Sequence, residues 1–181
     1  WNIQTLVHGD DFVSVGNREQ IRKFKEIMES TFEIKTTMVG DAPEEEKEGR
    51  VLNRIVRITE HGWEYEPDQR HADMIVQDMG LEHAKGVSTP AEEEKNWEEE
   101  TNNEELGTER ATTFRRIAAR ANYLAADRPD LMYSVKEICR QMAKTTMRGW
   151  KQLKRLGRYL KVNPRTIIEY PWQGREKELE G

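Results

Sequence analysis

The sequence predicts an α+β protein in which β-hairpins and one helix precede a basic unit of three helices. Apolar and polar residues alternate in several short stretches before residue 67, as in half-buried strands. Apolar residues recur at helical spacing between residues 108 and 165. With 35% hydrophobic and 35% charged residues, the 181-residue chain is polar but long enough to bury a core.

The first predicted elements are a hairpin and a helix. Strongly β-prone residues flank His8-Gly9-Asp10-Asp11, so we expect a hairpin over residues 3–15 with its turn at 8–11. Asn17 is an expected N-cap, and Gln20 stands three residues later, as in a capping box. An amphipathic helix is therefore expected over residues 18–30.

Further strands are expected before residue 67. Residues 32–35 alternate and predict a short strand, whereas the acidic residues 40–48 predict a loop outside the core. The stretches RVLNRIVRI (50–58) and GWEYE (62–66) predict the two strands of a second hairpin.

A helix and a linker are expected next. Pro67 favours the start of a helix and Gly80 its end, within a segment that covers residues 67–85. Residues 86–107 contain Ser-Thr-Pro and, between 92 and 105, eight Glu against one Lys. Such a composition predicts an acidic, flexible linker.

Three apolar stripes predict the helices of the second part, residues 108–165, and a strand is expected at residues 166–170. The helices are expected over residues 112–126, from Pro129 onward, and over 148–161. The stripes consist of Phe114, Ile117, Ala118, Ala121 and Leu124; of Met132, Val135, Ile138 and Met142; and of Trp150, Leu153, Leu156 and Leu160.

The helical part is strongly basic although the whole chain carries a net charge of −5. Residues 110–165 contain 15 Lys and Arg against three Asp and Glu, which leaves a formal charge of +12. This density is expected of a surface that binds a polyphosphate. A solvated helical surface that faces the acidic linker explains the charge equally well.

Several classes of protein are excluded by composition. No apolar run approaches the roughly 18 residues that span a bilayer, so no membrane partner is expected. The single Cys139 leaves no internal disulfide and no cysteine cluster for zinc, which suits an intracellular, reducing compartment. The chain begins with Trp1, and we expect it to be part of a longer protein.

Asp10 and Asp11 have two interpretations. Gly-Asp-Asp between two strands is typical of an ordinary turn. Two adjacent carboxylates at a hairpin tip are also the hard oxygen ligands that paired Mg²⁺ ions need in phosphoryl transfer. The residues of the turn alone leave both interpretations open.

The order of segments resembles the C-terminal half of the reverse transcriptase in the Pol polyprotein of copia-type LTR retrotransposons. LVHGDDFVSVG resembles the Tyr-Val-Asp-Asp hairpin of that family, and RVLNRIVRI with GWEYEPDQ is similar to its Leu-Gly-x-x-Ile stretch and the strand that follows. GVSTPA matches the Ser/Thr-Pro before its variable loop. FRRIAARANYLAADRPDLMYSVKEICRQM resembles its helix pair around Arg-Pro-Asp, and WKQLKRLGRYLK resembles the helix before its RNase H domain.

The resemblance implies an RNA-directed DNA polymerase, a nucleotidyltransferase that uses two Mg²⁺ or Mn²⁺ ions. It implies that Asp10 and Asp11 are catalytic metal ligands and that residues 50–66 position the primer. It divides the chain into the end of the palm (1–66), a helix (67–85), an acidic linker (86–107), a thumb and connection (108–165), and a strand that leads into a missing RNase H domain (166–181). The implied nucleic-acid contacts are Leu52, Asn53, Arg54, Arg116, Arg120, Lys136, Arg140, Lys151, Lys154, Arg155 and Arg158.

The implied partners are an RNA template with its DNA primer, a dNTP, and the remaining Pol parts, namely the fingers, RNase H and integrase. The implied location is the cytoplasm, within a virus-like particle, or the nucleus. Three residues depart from the family: His8 replaces Tyr, Asn53 replaces Gly, and Ala119 replaces Gly. The family's first catalytic Asp and its fingers have no counterpart in this sequence, so we expect no activity from this chain alone.

Two alternatives differ from this hypothesis. One is a non-catalytic remnant of such a polyprotein, which binds nucleic acid through its helices while the acid pair has no role. The other is the palm of an RNA-dependent RNA polymerase, which shares Gly-Asp-Asp; the residues after the pair favour the copia type.

Overall fold

The computed structural model describes residues 1–92 and 103–173. It confirms the α+β class, because the described residues form five helices and two antiparallel sheets. They fall into two compact units. The first contains residues 1–66 and the chain from Ile168, and the second contains Pro67–Ile167.

The strands belong to the first unit and most of the helices to the second. The first sheet pairs β1 with β2, and the second has the order β3-β4-β5-β6. In chain order the elements are Ile3–His8 (β1), Asp11–Gly16 (β2), Arg18–Thr31 (α1), Glu48–Val51 (β3), Arg54–Thr59 (β4), Gly62–Glu66 (β5), Arg70–Asp78 (α2), Thr108–Ala125 (α3), Met132–Cys139 (α4), Met147–Val162 (α5) and Ile168–Pro171 (β6).

The first hairpin and helix form where they are expected, but the capping box is wrong. Asn17 caps α1, since its side chain accepts a hydrogen bond from the Glu19 N–H at 3.0 Å. The Gln20 side chain instead accepts from the Asn2 N–H at 2.9 Å. Gln20 therefore ties the start of the chain to α1.

Two strand predictions are wrong. Residues 32–35 form no strand, because the Ile34 N–H bonds to the Phe32 carbonyl at 3.0 Å and bends the chain. Residues 50–58 form two strands, because the backbone turns back at Leu52 and Asn53, whose φ values are 47° and 66°. Asn tolerates this left-handed conformation better than most residues. Gly, which the copia-type family has at the position of Asn53, adopts it freely.

The acidic loop is attached to the fold through Glu45, which is buried against the expectation for residues 40–48. Its carboxylate accepts hydrogen bonds from Arg18 Nε at 3.1 Å, Arg22 Nη2 at 3.2 Å and the Ala42 N–H at 3.2 Å. Burial by itself raises the pKa of Glu45, but these donors outweigh it, so the pKa lies below its ordinary value. The loop is held against α1 by this charge cluster.

The hydrophobic core lies in the second unit. Among the described residues, the buried side chains of the hydrophobic core lie between Ala72 and Leu160, and in the first unit Leu6, Val7 and Phe12 are more than half exposed. The core comprises Ala72, Ile75, Val76, Leu81, Phe114, Ile117, Ala118, Ala121, Leu124, Ala125, Leu131, Val135, Ile138, Leu153, Leu156 and Leu160.

Glycine ends α2 as expected. Gly80 has φ +62°, its N–H bonds to the Gln77 carbonyl, and the Leu81 N–H bonds to the Val76 carbonyl, both at 2.9 Å. This is a Schellman motif, and it turns Leu81 into the core.

The apolar stripe of α4 differs from the expected one. Leu131, Val135 and Ile138 are buried, whereas Met132 is 57% exposed. The Leu131 N–H bonds to the Arg128 carbonyl, so the chain turns once before α4 begins and Leu131 takes the position expected for Met132.

Arg128 is buried at the junction of α3 and α4 and joins this junction to the end of α5. Its guanidinium binds Asp130 at 2.7 and 2.9 Å and also donates to the carbonyls of Asn163 and Pro164 at 3.1 and 3.3 Å. The Tyr159 hydroxyl donates to Asp130 at 3.0 Å. Burial raises the pKa of Asp130. The hydrogen bonds from Arg128 and Tyr159 and the charge of Arg128 outweigh this effect, so the pKa lies below its ordinary value.

The expected strand after the helices is β6, which pairs with β5 so that Trp63 lies opposite Tyr170. Most of the acidic stretch 92–105 and the last residues of the predicted segment 166–181 lie outside the described residues. The predicted domain boundaries stay a prediction.

We expect Arg128→Met to lower the free energy of unfolding by about 2–3 kcal/mol, because it leaves Asp130 and two carbonyls without their buried donor. Urea unfolding measures this loss. The matched control is Arg140→Met, at an exposed arginine, which should cost less than about 0.5 kcal/mol. Equal losses in the two variants would contradict the structural role of Arg128.

We expect the stabilisation that Glu45 gives to the acidic loop to depend on pH. The lowered pKa means that this stabilisation is complete above pH 4.5, the ordinary value, and is lost as the pH falls through the lower value of the folded state. Amide exchange of residues 39–47 should therefore differ strongly between wild type and Glu45→Gln at pH 6 and converge near pH 3. Glu60→Gln, in an exposed turn, serves as control, and a pH-independent difference would refute the prediction.

Candidate functional site

The acid pair lies at the tip of the first hairpin. His8 pairs with Asp11, so Gly9 and Asp10 form a two-residue turn between β1 and β2. Gly9 has φ +63°, which favours glycine at the first central position of such a turn. The turn therefore presents both carboxylates at one end of a regular β-ribbon.

Asp10 and Asp11 are both exposed, Asp10 in the turn and Asp11 as the first residue of β2. Their oxygens are of the kind that Mg²⁺ prefers, so the donor type fits the implied metal. Within residues 1–92 and 103–173, no group of three or more His, Cys, Asp and Glu is arranged to hold a metal ion. Two carboxylates are fewer than a Mg²⁺ coordination shell needs, so an ion at this tip would take further ligands from elsewhere.

The implied primer-positioning residues form the tight turn between β3 and β4. Leu52 is half-buried, Asn53 is exposed, and Arg54 Nη1 donates to the Leu52 carbonyl at 3.0 Å. The neighbouring sheet surface is acidic, because Arg57 is surrounded by the carboxylates of Glu48, Glu64 and Glu66 at 2.9–3.4 Å. The turn is therefore better suited than that surface to approach a phosphate backbone.

Two of the implied nucleic-acid contacts on α3 bind within the second unit. Arg116 Nη1 and Arg120 Nη1 both donate to Asp78 Oδ2, at 2.7 and 2.5 Å. They hold the end of α2 against α3. The single negative charge of Asp78 faces two positive charges, so this cluster keeps a net charge of +1.

Arg155 and Arg158 on α5 hold the strap segment, which we define as residues 84–92. Arg155 donates to the Ala91 carbonyl and the Thr89 hydroxyl, and pairs with Glu92 at 3.2 Å. Arg158 donates to the Lys85 carbonyl, and Lys161 to the Ala84 carbonyl, both at 2.6 Å. The strap segment thus occupies the basic residues of α5 that the resemblance assigned to nucleic acid. Lys161, which the sequence analysis did not single out, binds the same segment.

The remaining implied contacts are Lys136 on α4, Arg140 at the C-cap of α4, and Lys151 and Lys154 on α5. Lys136, Arg140 and Lys154 are exposed, whereas Lys151 is half-buried. Arg140 pairs with Glu137 on its own helix at 3.2 Å. The predicted basic contacts of the second unit therefore lie on α3, on α5, and on α4 with its C-cap, and some of them already have intramolecular partners.

Sequence reasoning also missed Tyr133, which is 68% exposed one turn before Lys136. Its signal in the sequence is its position beside the α4 stripe, on the side opposite Leu131 and Val135.

Comparison with known proteins gives one distant relative. The chain is 30% identical over 92 residues to the uncharacterized mitochondrial protein AtMg00810 of Arabidopsis thaliana. The match covers 51% of this chain and 37% of that protein. No family model matches the chain, and no solved structure matches it. In the described parts of the chain, no helix is both long and apolar enough to cross a membrane.

Proposed function

We propose that this chain is part of the reverse transcriptase of a copia-type retrotransposon, comprising the end of the palm and the thumb. The single observation that carries the proposal is the β1–β2 hairpin, whose Gly9 turn presents Asp10 and Asp11 together at its tip. The collinear resemblance that continues through the β3–β4 turn to Arg128-Pro129-Asp130 supports it.

In this proposal the hairpin tip holds Mg²⁺ through the oxygens of Asp10 and Asp11. Bound Mg²⁺ supplies charge neutralisation at the triphosphate and a lowered pKa at the primer hydroxyl. The contribution of the chain itself is positional. The β-ribbon fixes two carboxylates at one end, and the β3–β4 turn belongs to the same unit. The remaining ligands belong to the parent polymerase and the substrate.

The helical unit supplies affinity for nucleic acid that is independent of sequence. Lysine and arginine contacts to phosphates release counterions, so such binding weakens steeply with salt. A polymerase that copies any template requires this kind of contact.

A second candidate is a nucleic-acid-binding remnant without catalysis. It is favoured by His8 and Asn53, which replace residues typical of the family, and by the small number of carboxylates that the described residues gather at the hairpin. The two candidates agree on the helical unit and differ on the role of Asp10 and Asp11.

We expect Asp10→Asn and Asp11→Asn each to lower primer extension by the full-length parent polymerase at least a hundredfold, since each removes a charged metal ligand. The assay is extension of a DNA primer on an RNA template with Mg²⁺. The matched control is Glu33→Gln, at an exposed carboxylate outside both hairpins, which should leave the rate unchanged. Undiminished extension by both Asn variants would favour the remnant.

A measurement on this chain alone gives a second readout. Mn²⁺ should broaden the amide NMR signals of residues 8–11 in wild type and in Glu60→Gln, and leave them sharp in the Asp10→Asn Asp11→Asn double variant. Broadening that persists in the double variant would show that the carboxylates of Asp10 and Asp11 do not hold the ion.

We expect the whole chain to bind an RNA–DNA duplex with an affinity that falls at least tenfold between 50 and 200 mM salt, because several phosphate contacts release counterions. Fluorescence anisotropy at a series of salt concentrations measures this. Absence of binding at 50 mM salt, or binding without salt dependence, would contradict both candidates.

A further inference from the structure

The outer face of α4 combines an exposed aromatic ring with cations. Tyr133 is 68% exposed and Met132 is 57% exposed. Lys136 and Arg140 follow at helical spacing and are also exposed. Since Leu131, Val135 and Ile138 fill the core from the opposite side, the outer side chains are not needed for packing.

The other helices lack this combination because their aromatic rings are engaged. The Tyr159 hydroxyl on α5 bonds to Asp130, and Trp150 lies beneath the Arg110 guanidinium at 5.5 Å. Tyr123 on α3 packs against the ring of His71 with centroids 4.7 Å apart. Among the helices of the second unit, α4 therefore presents the most open aromatic side chain next to cations.

The cations of α4 are also less committed than those of α5. Three basic residues of α5 hold the strap segment. On α4, no described carboxylate lies within ion-pair distance of Lys136, and the Arg140–Glu137 pair at 3.2 Å is exposed on one helix. An exposed pair of this kind adds little to stability, so Arg140 can turn toward a phosphate at little cost.

We propose that the α4 face, defined as Tyr133, Lys136 and Arg140, binds an unpaired stretch of RNA or DNA. The Tyr133 ring stacks on a base, and Lys136 and Arg140 contact phosphates of the same strand. Four residues of helix separate the two cations by about 6 Å along the axis, which suits neighbouring phosphates. Open rings flanked by cations are the usual means of binding single strands without sequence preference, because every base has a face for stacking.

This inference rests on the proposed function and assigns to the helical unit a strand beyond the duplex. The occupant is nucleic acid because of charge complementarity: residues 110–165 carry 15 basic and three acidic side chains. An unpaired strand is favoured over a duplex because a paired base does not offer its face to a surface ring.

The test compares a single-stranded 16-nucleotide RNA with a blunt RNA–DNA duplex of the same length, each binding to the full chain in anisotropy. Tyr133→Ala should weaken binding of the single strand at least fivefold and change duplex binding less than twofold. Lys136→Ala Arg140→Ala should lower the salt slope for the single strand by about 1.4, since each phosphate contact contributes about 0.7.

Matched controls are Tyr170→Ala, at another exposed tyrosine, and Lys23→Ala, at an exposed lysine on α1 outside the implied nucleic-acid contacts. Both should leave single-strand binding within twofold of wild type. All variants are at exposed positions, and an unchanged urea midpoint verifies that each is folded.

The outcomes separate this inference from the proposed function. Duplex binding by the wild type, together with single-strand binding that Tyr133→Ala leaves within twofold, overturns the α4 assignment alone. Loss of affinity in Lys23→Ala or Tyr170→Ala equal to that in the α4 variants also overturns it. Single-strand binding that depends on Tyr133 without duplex binding upholds the α4 face and contradicts the proposed duplex contact. No binding of either probe contradicts both.

Discussion

The buried guanidinium of Arg128 is the contact on which the helical unit depends. It joins the α3–α4 junction to the carbonyls at the end of α5 and pairs with Asp130, to which Tyr159 also bonds. The position of α5 in turn places the cations that hold the strap segment. The Arg-Pro-Asp tripeptide, the clearest match in the resemblance, thus has a structural role in this unit.

Several basic side chains of the second unit bind acceptors within the unit itself. Arg116 and Arg120 hold α2 through Asp78, and Arg155 and Arg158 hold the strap segment. A cation that is oriented by carbonyls or a carboxylate has to give up those hydrogen bonds before it contacts a phosphate. The net charge of a segment therefore overstates the number of side chains that are ready to bind nucleic acid, and the less committed face of α4 gains importance.

The first unit is held together differently. Its described residues bury no large apolar side chain, and an isolated two-stranded ribbon is marginally stable in water. Its specific contacts are polar: the Glu45 cluster with Arg18 and Arg22, and the Arg57 network across three strands. Such an arrangement suits a unit whose exposed apolar residues pack against further polypeptide, as the proposed membership in a larger polymerase requires.

Local sequence patterns by themselves determined the elements with strong periodicity or clear punctuation. The hairpin around Gly9, the helix capped by Asn17, the Gly80 stop and the apolar faces of α3 and α5 follow from spacing within a few residues. Only the tertiary structure decided the break at Leu52-Asn53, the burial of Glu45 and the partners of the basic residues. These features depend on long-range pairing, such as that of Arg155 with Thr89, 66 residues away. A local sequence pattern does not indicate which distant carbonyl or carboxylate a cation will bind.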